Sequence, residues 1–237
     1  KILLGSLAGS GTLGLLIPPS IILIIYGVAV QESIAKLFIA GIIPGIMIAL
    51  IFMSYVIIWS LINKKSMPKI IEEYSFFEKI KRSKQLLPVI ILILAVIGSI
   101  YTGIATATEA ASLGVVGALI LSYFQKSLTL KTFKSSLLGA TKTSCMIAFI
   151  LAGSTFLSLA MGFTGLPRNL ALWIQNMELS PYVLIFVLMI FYIILGMFLD
   201  GISAVVLTMA IIEPMIRQAG FDMIWFGIFL VIVVEMA

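Results

Sequence analysis

A short polar stretch closes one of the most apolar segments of this chain. Asp200, Gly201 and Ser203 come directly after the apolar residues 182–199. A carboxylate at membrane depth costs roughly 2.5–3.5 kcal/mol on insertion scales, and such groups mark functional sites by default. Gly201 and Ser203 add a turn and a hydroxyl beside it. The structural alternative is that Asp200 caps the helix that follows, and both roles are compatible because a helix N-terminus also attracts an anionic ligand.

Glycines and prolines disrupt another apolar segment near the start of the chain. Residues 9–20 contain three glycines and the pair Pro18-Pro19. Each proline lacks a backbone donor and disfavours the α conformation of the residue before it, so the segment cannot form one continuous helix. The freed carbonyls need a partner within the membrane, which a bound cation supplies. The glycine cluster favours such an unwound ligand site over the alternative, a simple proline kink with close glycine packing.

The connection between two further apolar segments carries two hydroxyls and a carboxylate, at Thr106, Thr108 and Glu109. These groups are candidates to face a ligand site. A structural role is the alternative, because Thr106 or Thr108 can cap the next helix and Glu109 suits its first turn through the helix dipole. The spacing of the three residues leaves both interpretations open.

Several kinds of catalytic and metal site are missing from the sequence. It contains no histidine, no Walker loop, no metal-ligand cluster, no nucleophile elbow and no paired catalytic carboxylates. Their absence argues against hydrolysis and against ATP-driven pumping by this chain, so we predict that it is not an enzyme. The single cysteine, Cys145, lies in an apolar run, and we expect it to be a small buried core residue.

The elements that position these residues must lie in a membrane. Of the 237 residues, 62% are hydrophobic and only 11% are charged, with a mean hydropathy of +1.23. A soluble domain of this length is about a quarter charged. The composition therefore excludes an ordinary soluble enzyme, a disordered chain and a nucleic-acid binder, and indicates an integral membrane protein. Basic residues cluster in 63–85 and 125–142, which places these two loops in the cytoplasm and the other connections outside.

The apolar runs predict an all-α integral membrane fold. Residues 182–199 and 202–216 are joined by a connection without basic residues, and the second run is short, which favours a re-entrant hairpin over two full spans. Residues 66–85 carry apolar side chains at helical spacing between charges, which indicates an amphipathic helix on the inner membrane surface. The first residue is not Met and the last apolar run stops short of a full span, so we expect a fragment of a longer protein.

Several runs of the sequence resemble signatures of one transporter family. They are GTLGLLIPPS at residues 11–20, KLFIAGIIPG at 36–45, GIATATEAA at 103–111 and GMFLDG at 196–201. In this order they resemble the large membrane subunit of tripartite ATP-independent periplasmic (TRAP) transporters over essentially the whole chain. The resemblance implies an inverted-repeat, elevator-type transporter with broken helices and a re-entrant hairpin.

The resemblance also implies a function, partners and ligands. This family imports small organic acids, often carboxylates or sialic acids, with sodium across the bacterial inner membrane. A small membrane subunit of the Q type and a soluble periplasmic substrate-binding protein complete the system. The expected ligands of one sodium ion, largely backbone carbonyls, are Ser10, Gly11, Thr12 and Gly14. Asp200, Gly201 and Ser203 are expected to bind a second sodium ion or to orient its ligands. The expected substrate-binding residues are Pro18, Pro19, Thr106, Thr108 and Glu109.

The same resemblance divides the chain into segments. The predicted segments are a first broken helix with the following span (1–62), a cytoplasmic amphipathic helix and loop (63–87), transmembrane helices of the second half (88–163), a periplasmic connection (164–180), the re-entrant hairpin (181–217) and the start of a further transmembrane helix (222–237). Glu235 stands in that last helix, where many relatives are expected to have an amide.

Two other functions are open at this point. The chain could belong to a divalent-anion/sodium symporter of similar architecture that works without a binding protein. It could also be a membrane anchor subunit that transports nothing, although the broken helix and the intramembrane Asp200 argue against that.

Overall fold

The computed structural model is built of α-helices in the part of the chain that it describes. It describes residues 11, 14–63, 78, 83–166, 169–170, 172 and 180–236, without the side chain of Gln85, and these residues contain no β-strand. The helices are α1 (Ile21–Ala29), α2 (Ile34–Ile62), α3 (Leu87–Tyr101), α4 (Ala107–Phe124), α5 (Leu130–Thr164), α6 (Pro181–Gly196), α7 (Gly201–Gln218) and α8 (Met223–Met236). A 3-10 turn, Lys84–Leu86, precedes α3. The predicted all-α class is confirmed.

Helix length and composition agree with a multi-pass membrane protein. Helices α2, α4, α5 and α7 are long and apolar enough to cross a membrane, and α3, α6 and α8 are shorter apolar helices. Helix α7 has 18 residues and is therefore longer than the apolar run at 202–216 suggests. Its length is compatible with a full span as well as with the arm of a hairpin, so the re-entrant geometry stays a prediction.

The chain divides into two compact units, one of residues 1–49 and 139–237 and the other of residues 50–138. In the first unit α7 packs against α1, α6 and α8, and α8 also packs against α1 and α6. Its largest fully buried side chains include Tyr26, Tyr192 and Phe226. In the second unit α3 packs against α4, where Gly117 leaves room for the side chain of Leu92.

The basic connection predicted at 125–142 is mostly helical. Helix α5 begins at Leu130, and the first turn is capped reciprocally: the Thr129 N–H donates to Thr132 Oγ1 at 2.8 Å, and the Thr132 N–H donates to Thr129 Oγ1 at 3.1 Å. With 35 residues α5 is roughly 52 Å long, whereas a bilayer core is about 30 Å thick. The basic first turns therefore extend the helix beyond a membrane span.

The prediction that Cys145 is buried is wrong. Cys145 is exposed, as are all residues from 131 to 146 of α5, because this part of the helix lies against no other described helix. Cys145 itself stands where the basic, hydroxyl-rich first part of α5 gives way to the apolar residues 145–151, and exposure of such a side chain is expected on a membrane protein, where lipid replaces the protein interior as the surrounding medium.

Other predictions fall outside the described residues. The amphipathic helix at 66–85 lies outside them for most of its length, as do the candidate ligands Ser10 and Thr12. Much of the connection at 164–180 is also not described.

Candidate functional site

Helices α6 and α7 form a hairpin whose two arms are joined by polar and aromatic contacts. At the base, the rings of Tyr182 and Phe221 meet edge to face with their centroids 6.5 Å apart. Further along, the hydroxyls of Tyr192 and Thr208 lie 2.7 Å apart, and the Thr208 hydroxyl donates to Ala204 O at 2.6 Å. Tyr192 is fully buried. The turn at residues 197–200 is therefore the tip of the hairpin, at the end opposite its base.

Asp200 caps α7 at this tip. Its Oδ2 accepts a hydrogen bond from the Ser203 N–H at 3.2 Å, and its Oδ1 accepts one from the Ser203 hydroxyl at 2.6 Å. The capping role that the sequence suggested is thus present. The carboxylate is exposed, and each oxygen keeps a lone pair beyond these bonds, so capping leaves it able to bind a cation.

The tip also joins two opposite helix ends. Helix α6 ends at Gly196, and the last backbone bonds run from the Met197 N–H to Ile193 O and from the Leu199 N–H to Leu195 O. The last carbonyls of a helix have no partner within it, and they form the negative end of its dipole. The carbonyls of residues 196–199 therefore lie in the same turn as the Asp200 carboxylate, so the tip concentrates oxygen atoms.

A short helical segment before α1 is separated from it by residues 17–20, which form a break in the helix. Residues 14–16 are helical, the next four are not, and the Pro18–Pro19 peptide bond is cis. Gly11 and Gly14 have helical backbones, so they precede the interruption. The carbonyls that the break releases thus belong to the residues around the prolines rather than to the glycine cluster.

Ser20 holds the two sides of this break together, a role that was not predicted from the sequence. Its Oγ accepts a hydrogen bond from the Leu23 N–H at 3.3 Å, which makes Ser20 the N-cap of α1, and its hydroxyl donates to Leu15 O. The side chain is fully buried. A serine directly before an apolar helical run is a typical N-cap signal, so the pattern could have identified it.

The break and the hairpin tip lie against each other. A Cβ atom built on Gly201 would lie 2.7 Å from Ile22 Cδ1 and 3.4 Å from Val234 Cγ1. The first residue of α7 therefore packs on the first turn of α1 and on the end of α8. Helices α1 and α7 begin side by side, capped by Ser20 and Asp200. Two adjacent helix N-termini favour negative charge, while the oxygen atoms of the preceding turns favour a cation.

Two glycines let α2 approach the break closely. A Cβ atom on Gly41 would lie 3.2 Å from Leu16 O, and one on Gly45 would lie 2.8 Å from Ile17 Cγ1. Both glycines are buried and stand four residues apart on one face of α2. Because they have no side chain, α2 covers the break at backbone distance.

Helix α8 supports α1 from the other side. The Tyr26 hydroxyl donates to Met223 O at 2.6 Å, and its buried ring lies against the backbone of Gly227. Further along α8, Val234 reaches the hairpin tip. The neighbouring Glu235 has a buried Oε1 without a hydrogen-bond partner among the described residues.

In the second unit, Thr106 and Glu109 form a capping box at the start of α4. The Thr106 N–H and hydroxyl each donate to Glu109 Oε2 at 2.8 Å, and the Glu109 N–H donates to Thr106 Oγ1 at 3.3 Å. Thr108 is exposed and its carbonyl accepts from the Ser112 hydroxyl at 3.3 Å. The structural role suggested for Thr106 and Glu109 is therefore present.

Comparison with known proteins decides the family. Residues 4–237 match the family model described as the tripartite ATP-independent periplasmic transporter, DctM component. The chain belongs to this family. The expectation drawn from the sequence runs around the prolines, Thr106 and Asp200 is thereby confirmed, and the family is a transporter component rather than an enzyme.

Curated TRAP relatives match nearly the whole of this chain. A C4-dicarboxylate TRAP transporter large permease protein of Pseudomonas aeruginosa is 31% identical over 98% of this chain and 54% of the relative. One of the same description from Rhodobacter capsulatus is 32% identical over 98% of this chain and 55% of the relative. A sialic acid TRAP transporter large permease protein of Vibrio cholerae is 32% identical over 94% of this chain and 52% of the relative. The chain thus spans about half the length of these curated relatives.

A pair of substitutions at Thr106 separates helix capping from substrate binding in this TRAP chain. Thr106→Ala removes the cap and is expected to lower Tm by about 2–4 °C, whereas Thr106→Ser keeps a capping hydroxyl and leaves Tm unchanged. If Thr106 acts only as a cap, Thr106→Ser also keeps the wild-type KM for substrate. A raised KM in Thr106→Ser at unchanged Tm would instead place the threonine methyl at the substrate. Thermal unfolding of the purified transporter and uptake kinetics measure the two quantities.

Proposed function

We propose that this chain is part of a sodium-coupled TRAP permease that imports a small organic acid across the bacterial inner membrane. The observation that supports the proposal most strongly is the packing of Gly201 on Ile22, because it brings the hairpin tip and the broken helix to one place. In a chain built of apolar helices, irregular backbone at two adjacent points requires a polar occupant or a buried environment. A co-transported sodium ion is such an occupant.

The sodium ligands proposed here are oxygen atoms, which hard cations prefer. One group comprises the Asp200 carboxylate and the Ser203 hydroxyl, with backbone carbonyls of the tip including Gly201. The other comprises backbone oxygens of the first broken helix, for which the sequence suggests Ser10, Gly11, Thr12 and Gly14. The carbonyls released at residues 15–18 extend this second group toward the tip. Asp200 supplies a negative charge that neutralises a bound sodium ion.

The proposed substrate is an organic anion whose carboxylate lies near the N-termini of α1 and α7. The names of the relatives give C4-dicarboxylate and sialic acid as their substrates, and these compounds share a carboxylate. Two capped helix N-termini, beginning beside each other at Ser20 and Asp200, offer positive dipole ends to such a group. Pro18 and Pro19 lie in the same interruption, and they remain candidates for contact with the substrate. In the second unit, Thr106, Thr108 and Glu109 remain candidates from the sequence alone.

Coupling between sodium binding and substrate binding follows from the proposed location of both ligands at the hairpin tip and the break. Sodium bound at the tip and the break reduces the repulsion between Asp200 and the substrate anion. The ion thereby stabilises the conformational state of the transporter that binds substrate. The stabilisation is as large as the difference in sodium-binding free energy between that state and the state that does not bind substrate. In the elevator-type mechanism that we propose, the hairpin and the broken helix move together with the bound ligands. A small membrane subunit and a periplasmic binding protein complete this system.

Uptake into proteoliposomes tests the proposal. The complete transporter is expected to take up a labelled C4-dicarboxylate or sialic acid only with an inward sodium gradient and only when its periplasmic binding protein is present. An equal potassium gradient is the control. Sodium-driven uptake without the binding protein would favour the symporter alternative, and absence of uptake of any tested organic acid would favour a non-transporting membrane subunit.

A further inference from the structure

Arg217 connects the return arm of the hairpin to the turn that follows α1. It lies in the last turn of α7, and its Nε donates to Glu213 Oε1 at 2.9 Å on the same helix. Its Nη2 donates to Val30 O at 3.1 Å and lies 3.8 Å from Glu32 Oε1. One guanidinium group thus contacts three groups on two segments of the chain that are far apart in sequence.

These contacts fix the far ends of two helices whose first turns already touch. Helices α1 and α7 meet at Ile22 and Gly201 near their N-termini and at Val30 and Arg217 at their C-terminal ends. Val30 is the C-cap of α1, so the guanidinium satisfies a carbonyl at the negative end of that helix dipole. The turn itself is folded onto α1, because the Glu32 N–H donates to Gly27 O at 2.9 Å. The two helices therefore run side by side in the same direction.

We propose that Arg217 is a positioning residue that sets the register of α7 along α1 and thereby holds Asp200 at the break. The proposal rests on the function proposed above. Helix α7 stays helical over roughly 27 Å, through Pro214 near its C-terminal end, and we expect a displacement at Arg217 to be passed on along it to the tip. At the tip the contact of Gly201 with Ile22 is apolar and does not fix the position of α7 along its axis.

The chemistry of arginine suits this task. Its planar guanidinium presents several donors in a fixed arrangement, so it binds a carbonyl and two carboxylates at once. Lysine is a single point charge on a flexible stem and cannot keep all three contacts. Because Arg217 is half exposed, its ion pairs are screened by solvent and add little to overall stability. A loss of register should therefore change sodium affinity more than it changes folding.

Sodium titration of uptake by the complete transporter tests this role. We expect Arg217→Gln to raise the sodium concentration for half-maximal uptake by about threefold or more, at a nearly unchanged maximal rate. Glu32→Gln should shift it in the same direction by a smaller factor, and Arg217→Lys should fall between wild type and Arg217→Gln. Lys36→Gln is the matched control, because it removes one exposed positive charge near the same turn, in the first part of α2.

The outcomes separate this proposal from the proposed function. If wild-type uptake depends on sodium but Arg217→Gln and Glu32→Gln keep the wild-type half-maximal concentration, the positioning role is overturned and sodium coupling stands. An equal shift in Lys36→Gln would also overturn it, because loss of positive charge would then suffice. If Arg217→Gln does not accumulate in the membrane, Arg217→Lys and Glu32→Gln decide by the same criterion. Wild-type uptake that is independent of sodium would overturn both proposals.

Discussion

Asp200→Ala is expected to reduce sodium-dependent uptake by the complete transporter to the level of protein-free vesicles. The substitution removes the carboxylate of the turn at residues 197–200 and with it the charge that would neutralise a sodium ion bound there. It also removes the N-cap of α7, which costs about 1 kcal/mol and is too little to prevent assembly. Uptake in proteoliposomes and co-purification of the small membrane subunit measure the two effects.

Two further variants distinguish the charge of Asp200 from its capping role. Asparagine and serine are good N-cap residues, so Asp200→Asn and Asp200→Ser keep the cap and lose the charge. We expect both variants to assemble with the wild-type Tm and to lose sodium-dependent uptake. Wild-type uptake by Asp200→Asn would show that the carboxylate acts only as a cap, and it would remove Asp200 from the ion site.

Gly227→Ala is expected to destabilise the first unit by about 1–3 kcal/mol. A Cβ atom at this position would lie 2.7 Å from Tyr26 Cδ1 and 3.0 Å from its Cζ, and closer still to Cε1. The ring cannot withdraw easily, because it is fully buried and its hydroxyl donates to Met223 O. The methyl group must therefore push α8 away from α1 or break that hydrogen bond.

Thermal unfolding of the detergent-purified transporter measures this effect. Gly162→Ala is the matched control, because a Cβ atom there meets no atom of the described residues within 4 Å and alanine is a better helix former than glycine. We expect Gly162→Ala to keep or raise Tm and Gly227→Ala to lower it. Equal Tm values for the two variants would contradict the close packing of Tyr26 on Gly227.

The parts of the site that depend on local chemistry could be predicted from the sequence. Proline removes a backbone donor whatever surrounds it, so an interruption near Pro18 and Pro19 follows from the residues themselves. Asp200 and Thr106 cap helices because each precedes an apolar helical run, and a cap bonds only to residues within one turn. The family was also recognisable, because its signatures are short runs in a fixed order.

The parts that depend on tertiary packing could not be predicted. Arg217 and Val30 are separated by 187 positions, and no local pattern indicates that they meet. The contact of Tyr26 with Gly227 likewise depends on how two apolar helices pack, and apolar helices have no polar face to orient them. Cys145 was assigned to a buried core from its apolar surroundings, but in a membrane protein an apolar run is equally suited to a lipid-facing surface.

Equilibrium binding of radioactive sodium to the purified transporter is the most direct test of the proposed ion site. The proposal is that the hairpin tip and the break at residues 17–20 together bind a transported ion. The wild type is expected to bind sodium saturably, with displacement by unlabelled sodium and not by potassium, and Asp200→Asn is expected to lose most of this binding. Absence of saturable binding in the wild type, or equal binding by Asp200→Asn, would contradict the account.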